Sequence, residues 1–357
     1  MSSLSLEAAL RDVEARRPEA RSVAIRELAP ALLTAAGSQA PARWQSIVHP
    51  KRDEVAAALD QACTDAAPQN AALARVGLAQ IGAPTARARA EEALAAGDSE
   101  ALSPADSDHA AMFMRECGVI ALSLLGAAAR AQTEADAVDV ASAGEYAELL
   151  AALRALLDDP RDDVRFQAGP ALVEVGGREV EAELVAALAR EDHEEVRENL
   201  IVALSMFDPP GPAACEALSA VLGDEALAKG PLGWEAALAL AGARRPEAAP
   251  RLILGLGDQS TRDRALEALA VIGPRIDPED APAVAEAVRR SARALFASAF
   301  TKVRAAYALA RIDPPAGEAM LRKLEGHLRP SVREAAAEAR ALLTELAAED
   351  SASGVSC

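Results

Sequence analysis

A dense run of charge at residues 158–165, DDPRDDVR, contains residue types that could carry out acid–base chemistry. The carboxylates of Asp162 and Asp163, beside the cation Arg165, could act as a general acid and a general base. A catalytic residue has no reason to recur once per repeat, and this arginine does recur. We therefore predict that the aspartates cap a helix and that the arginines pair with carboxylates or carbonyls of the turns. The recurring arginines are Arg115, Arg165, Arg197, Arg262 and Arg333.

The elements that position these residues are predicted to be helices. Hydrophobic residues make up 51% of the 357 residues, aromatic residues only 3%, and β-branched runs with alternating polarity are nearly absent. Alanine, which is unusually frequent, has the highest helix propensity and allows helix axes to approach closely. The chain is longer than a typical domain with a single hydrophobic core. These properties indicate two or three globular domains, or one repetitive array of closely packed helices.

An apolar frame recurs along the chain, and its best copy follows the charge cluster. Copies are spaced 32 residues apart from Arg165 to Arg197, and 31 residues apart from Lys302 to Arg333. Each unit is predicted to be two helices joined by a turn, such as 179–191 and 193–207. The frame of the best copy consists of Val164, Ala168, Ala171, Leu172 and Val175, followed by Gly176.

The stretch DDVRFQAGPALVEVG, residues 162–176, resembles the signature D-x-x-V-R-x-x-A-x-x-A-L-x-x-[IV]-G of HEAT repeats. It is most similar to the short bacterial type shared with phycobilisome-lyase-like proteins, and it departs from the signature where Arg161 replaces the first aspartate. The resemblance is strong over about 145–346 and moderate over 66–128. It implies an all-α fold, a right-handed α-solenoid of about eight HEAT-like helical hairpins whose second helices line the concave side.

Four segments are expected along the chain. Residues 1–129 are predicted to form irregular N-terminal helical repeats, and 145–348 a regular HEAT-repeat array. Residues 130–144, with little periodicity, are predicted to be a linker or long loop. The polar tail 349–357 is predicted to be disordered.

His193 and Glu194 form a pair that resembles one unit of deoxyhypusine hydroxylase, a HEAT-like enzyme that holds two irons with several His-Glu pairs. The remaining histidines precede Pro, Ala and Leu, so a di-iron site lacks its ligands. We accordingly expect no catalytic residue, no metal and no cofactor. The remaining histidines are His49, His109 and His327.

The formal net charge of −18 argues against nucleic acid and anionic membranes, which both select for clustered Lys and Arg. HEAT-like DNA glycosylases, which need a basic concave face, are therefore disfavoured, whereas a bilin-lyase-like subunit stays open. No signal peptide, membrane-spanning segment or nucleotide-binding motif is apparent. A cytoplasmic protein with reduced thiols is expected, because the cysteines lie far apart and their spacing does not match that of metal ligands. The cysteines are Cys63, Cys117, Cys215 and Cys357.

A helical wheel places an arc opposite the buried frame, centred on Phe166 and Val173 and flanked by Pro170. In other repeats one of the two equivalent central positions is acidic: Glu116, Glu198, Asp263 and Glu334. Pro170 should kink its helix because it removes a hydrogen bond to residue 166. One interpretation is a groove that binds a partner near Phe166; the other is that Phe166 packs on a neighbouring repeat. The predicted partner-binding residues are Glu116, Phe166, Pro170, Val173, Glu198 and Asp263.

The sequence thus favours a non-catalytic protein–protein interaction scaffold. Its concave face would bind a basic or amphipathic segment of another protein. The alternative is an enzyme or enzyme subunit of HEAT-like fold, either lyase-like or a protein-modification factor. The oligomeric state is not predicted.

Overall fold

The computed structural model describes residues 4–96, 104–135, 140–294 and 297–352. These residues form α-helices joined by turns and short 3-10 segments, and they contain no β-strand. The prediction of an all-α fold is therefore confirmed. Two compact units are present, Met1–Leu200 and Ile201–Cys357.

The first unit is a stack of helical hairpins. Each odd-numbered helix packs against the next even-numbered one from α1 to α8, and the second helices α2, α4, α6 and α8 also pack in succession. The helices are α1 (Leu6–Asp12), α2 (Pro18–Ala36), α3 (Arg52–Ala62), α4 (Pro68–Gln80), α5 (Ala86–Leu94), α6 (Pro104–Ala135), α7 (Val140–Ala155), α8 (Asp162–Gly176), α9 (Glu181–Arg190) and α10 (Glu194–Ser205), which contains the unit boundary.

The second unit repeats this arrangement. Its pairs are α11 with α13, α14 with α15, α16 with α17 and α18 with α19, and the second helices α13, α15, α17 and α19 pack in succession. Together the described helices form eight packed pairs of the predicted HEAT-like kind. The helices are α11 (Pro212–Gly223), α12 (Glu225–Lys229), α13 (Pro231–Gly242), α14 (Ala249–Gly255), α15 (Arg262–Ile272), α16 (Ala281–Ala292), α17 (Ala299–Ile312), α18 (Pro314–Glu325) and α19 (Pro330–Ala352).

The predicted apolar frame is the core of each hairpin. In α8, Val164, Ala168, Leu172 and Val175 are completely buried. Small residues let the second helices approach closely, since a Cβ atom added at Gly126 of α6 would lie 2.7 Å from a methyl carbon of Val175. Burial of these apolar side chains stabilises the stack, and the absence of larger side chains at the contacts sets the distance between helices.

An arginine at the start of most second helices fixes that helix to the preceding turn. Arg165 donates from Nη1 to the carbonyl oxygen of Asp159 at 2.9 Å, and its Nε and Nη2 donate to the Glu191 carboxylate at 2.8 and 3.0 Å. Arg115 donates to the Ala96 carbonyl at 2.8 Å. These bonds confirm the predicted structural role. Four other arginines likewise donate to the carbonyl six residues earlier: Arg21, Arg197, Arg262 and Arg333.

Arg21 extends this arrangement to the N-terminal hairpin, where the sequence resemblance is weak. Its Nη1 donates to the Ala15 carbonyl at 2.9 Å, and its Nε and Nη2 donate to Asp65 at 2.6 and 2.8 Å. Ala24 and Leu28 of α2 are completely buried, as the frame requires. The pair α1 and α2 is therefore built like the repeats that follow it.

The aspartates of the opening cluster do not cap α8, which corrects the prediction. The residue that precedes α8, Arg161, provides no side-chain cap. Each aspartate instead pairs with a basic side chain. The pairs are Asp158 with Arg190 at 2.7 Å, Asp159 with Arg161 at 2.9 Å, Asp162 with His193 at 3.0 Å and Asp163 with Arg115 at 2.7 Å.

The predicted loop at 130–144 is largely helical. Residues 130–135 extend α6 and residues 140–144 begin α7, while 136–139 lie outside the described residues. At the C-terminus, α19 includes 349–352 of the predicted tail, and 353–357 lie outside the described residues. Alanine-rich sequence around 130 propagates a helix despite its weak apolar periodicity.

One helical stretch in the described residues, Asp108–Ala135, is long and apolar enough by length and composition to cross a membrane. A search of the sequence for an uninterrupted run of apolar residues does not identify this stretch. Core helices of folded proteins pass the same test, and α6 packs against α4, α5, α7 and α8. Length and composition therefore do not distinguish the two roles for this helix.

We expect Arg165→Lys to lower the free energy of unfolding by about 2 kcal/mol. A lysine ammonium cannot make the two hydrogen bonds to the Glu191 carboxylate and the one to the Asp159 carbonyl at the same time. Urea unfolding followed by circular dichroism measures the change. Arg178→Lys is the control, since Arg178 is exposed and lies 3.9 Å from Glu181. Equal unfolding midpoints for both variants would contradict the structural role of Arg165.

The same turn predicts a dependence of stability on pH. Hydrogen bonds from Arg165, together with those from backbone N–H groups, lower the pKa of Glu191 from 4.5 to about 2 although burial opposes this. Because its pKa is lowered in the folded state, Glu191 stabilises the fold fully above pH 4.5 and loses this contribution as pH falls toward 2. The stability advantage of the wild type over Glu191→Gln should shrink over that range. The exposed Glu279→Gln provides the control; an advantage constant with pH would be inconsistent with the lowered pKa.

Candidate functional site

The six predicted partner-binding residues all lie on second helices and all are half-buried. Two further positions on the same predicted arc, Ser123 and Ala270, are buried, with 4% and 3% exposure. The prediction of an open face is therefore wrong at these positions, because neighbouring second helices pack along it. The six are Glu116 in α6, Phe166, Pro170 and Val173 in α8, Glu198 in α10, and Asp263 in α15.

Pro170 is accommodated by a bond from the next repeat. α8 continues through Pro170, which has no N–H to donate to the carbonyl of Phe166. The side-chain amide of Asn199 in α10 donates to that carbonyl instead. Phe166 and Pro170 therefore have a structural explanation in the contact between neighbouring repeats.

We expect Asn199→Ala to lower the free energy of unfolding by about 1–2 kcal/mol, because the Phe166 carbonyl loses its donor. In a Pro170→Ala background the cost should be smaller, since the N–H of residue 170 can then supply a helical hydrogen bond. A double-mutant cycle by urea unfolding measures this coupling. Glu198→Gln in both backgrounds is the control and should show none. An identical cost of Asn199→Ala in both backgrounds would refute the compensation.

Other apolar residues of the second helices divide into two groups. Val119, Ile201 and Leu266 are buried, whereas Ile120 and Phe300 are 42% and 46% exposed.

The second unit contains a cavity of about 460 Å³ that combines positive charge with an apolar floor. It lies where the end of α16, the start of α17 and the length of α18 meet. The volume falls within the range of small-molecule sites. Its polar lining is Arg289, Arg293, Lys302, Lys323 and His327, and its apolar lining is Ala292, Leu309, Ala316, Met320 and Leu324.

Helix caps set the positions of the cavity side chains. Ser298 caps α17 by accepting a hydrogen bond from the Thr301 N–H at 3.0 Å, which fixes the first turn carrying Lys302. Asp313 caps α18 by accepting from the Ala316 N–H at 3.3 Å. The caps hold the beginnings of two helices at the cavity rim.

The neighbourhood of the cavity is basic although the chain as a whole is acidic. Residues 286–329 contain nine Arg and Lys against four Asp and Glu. All four carboxylates pair with arginines other than Arg293. In the part of the chain that the structure describes, Arg293, Lys302 and Lys323 consequently show no ion pair. The carboxylate pairs are Glu286 and Asp313 with Arg289, at 3.6 and 2.6 Å, Glu318 with Arg322 at 2.9 Å, and Glu325 with Arg340 at 2.8 Å.

His327 adds a directional donor to the cavity. Its Nδ1 accepts a hydrogen bond from the backbone N–H of Arg329 at 3.1 Å. Because Nδ1 accepts, Nε2 is the ring nitrogen that carries a proton and can donate. Together the lining offers three cations without an ion pair, one N–H donor and apolar carbons, which suits an anion attached to an apolar group.

The sequence prediction missed this site because the net charge averages over two unlike halves. Residues 1–200 contain 34 Asp and Glu against 19 Arg and Lys, whereas residues 201–357 contain 21 against 18. A count of charge along the chain would have singled out 286–329. The approach of α16, α17 and α18, however, follows only from the fold.

Among the described residues, no three His, Cys, Asp or Glu side chains come together as possible metal ligands. His193, the residue resembling an iron ligand, has its Nε2 3.0 Å from Asp162. The donor set therefore does not fit a di-iron centre here.

Stacked helical hairpins with a repeated apolar frame define the class of helical-repeat proteins. Within it, the chain contains HEAT repeats: a family model described as HEAT repeats matches residues 149–229. No curated protein matches the chain. Among solved structures it is similar to human deoxyhypusine hydroxylase in complex with glycerol, at 18% identity and a TM-score of 0.29, covering 87% of this chain and 96% of that one.

The prediction of a non-catalytic scaffold using the concave face is wrong as a conclusion from the repeats. HEAT repeats establish a fold and not a function, because one fold can carry a binding site or an active site. The six predicted binding residues are half-buried, and two of the equivalent positions in other repeats, Ser123 and Ala270, are buried. The repeats establish the fold, and the class of function has to be inferred from the residues of the site.

Proposed function

We propose that the second unit binds a small ligand carrying a negatively charged group and an apolar part, in the cavity between α16, α17 and α18. One observation carries the proposal: Arg293, Lys302 and Lys323 border one apolar-floored cavity without forming an ion pair in the described residues. Three cations that line one cavity can each make a charge-assisted contact to the same bound anion.

The apolar floor supports a ligand that is more than an inorganic anion. The half-buried Ala316 and Met320 line the cavity and expose apolar carbons, and the buried Leu309 and Leu324 pack beside them. Covering such a surface adds the hydrophobic contribution to the ionic one. A basic segment of a partner, which the sequence predicts, has no support from this cavity because its cations would repel such a segment.

A binding role, rather than a catalytic one, is part of the proposal. The cavity groups can hold and orient an anion, and the described thiols elsewhere are not activated. Burial raises the pKa of Cys63 to about 11 and that of Cys117 to about 12, so neither is a reactive thiolate at neutral pH. The free thiols of Cys63 and Cys117 support a reducing, cytoplasmic location.

Hexyl phosphate, which joins an anionic group to an apolar chain, tests the proposal by titration calorimetry. The double variant Lys302→Gln, Lys323→Gln should bind it about tenfold more weakly or worse, because two charge-assisted contacts are lost. The matched control Arg264→Gln, Arg290→Gln removes two exposed cations that do not line the cavity. Equal affinities for both double variants, or no binding to the wild type, would overturn the proposal.

A further inference from the structure

We infer that the ligand of the α16–α18 cavity is an organic diphosphate, a multiply charged head group on an apolar body. This inference rests on the proposed function and deepens it by naming the class of anion. The number of available cations carries it. Arg293 follows α16, Lys302 lies in α17 and Lys323 in α18, so three separate elements each bring one cation to one cavity.

A single carboxylate would leave most of this charge uncompensated. One negative charge is satisfied by one arginine or lysine, and the remaining cations would stay confined with mutual repulsion. A diphosphate ester carries at least two negative charges on oxygens that point in several directions. It can therefore contact cations arriving from three elements at once, which a planar carboxylate cannot.

The chemistry of the donors also favours phosphate. Arg289 already contacts two carboxylates, with its Nη2 2.6 Å from Asp313 and its Nη1 3.6 Å from Glu286, so its planar fork is not free to bind a carboxylate side on. Two of the three available cations are lysines, whose ammonium groups bind phosphate as point charges with rotating donors. The Nε2–H of His327 supplies a further neutral donor to a phosphate oxygen.

The size of the cavity indicates that the ligand has an organic part in addition to its diphosphate group. A cavity of about 460 Å³ exceeds the volume that a diphosphate group fills, and apolar carbons of Leu309, Met320 and Leu324 line the remainder. Both an isoprenoid diphosphate and a nucleoside diphosphate share the required head group. The diphosphate is the common chemistry, and the experiment distinguishes the two organic parts.

Titration calorimetry on the full chain compares ligands that share an organic part and differ by one phosphate group: geranyl monophosphate with geranyl diphosphate, and AMP with ADP. Within at least one pair, we expect the diphosphate to bind about tenfold more tightly or better. This preference should be lost in Lys302→Gln, Lys323→Gln and kept in Arg264→Gln, Arg290→Gln. The pair that binds more tightly identifies the organic part.

The outcomes separate the two proposals. Equal affinity for monophosphates and diphosphates, with both weakened by Lys302→Gln, Lys323→Gln, would overturn the diphosphate inference and leave the anion site standing. Binding of no phosphate ligand, including hexyl phosphate, would overturn both. Because Lys302 and Lys323 are exposed, their glutamine variants should unfold at wild-type urea concentrations; if they do not, Lys302→Ala and Lys323→Ala measured singly give the same comparison.

Discussion

The bond between an arginine and a carbonyl six residues earlier is the constraint on which the repeat depends. The helices are rich in alanine, and each alanine buries little apolar area, so burial alone gives weak control over where one helix meets the next. Arg165 supplies that control by joining the turn at Asp159 to the start of α8, and by reaching Glu191 before α10. This half-buried cation makes three hydrogen bonds at once, so it tolerates few geometries.

Once the turns are fixed, the second helices pack side by side, and this decides where a ligand can bind. Gly126 against Val175 shows how closely α6 and α8 approach, which leaves half-buried side chains rather than an open groove. The basic cavity lies instead beside the end of α16 at Ala292 and the beginning of α17 at Ala299, with Leu309 in its lining.

Periodicity in the sequence predicted what is local and repeated: the helices, the frame around Val164 and the structural role of Arg165. It failed where the partner comes from another repeat. Asp163 pairs with Arg115 instead of capping α8, and Asn199 supplies the donor that Pro170 lacks. A helical wheel describes one helix alone, so it cannot foresee which arc a neighbouring helix covers.

The acidity of the chain and the basic cavity are compatible because electrostatic interactions in salt are short-ranged. At physiological ionic strength, screening reduces the influence of charges beyond about 8 Å, so a bound anion responds mainly to the cations that line its cavity. The excess of carboxylates belongs to residues 1–200, whereas residues 201–357 are nearly balanced. The proposed small anion beside Arg293, Lys302 and Lys323 is therefore compatible with the acidity of the chain as a whole.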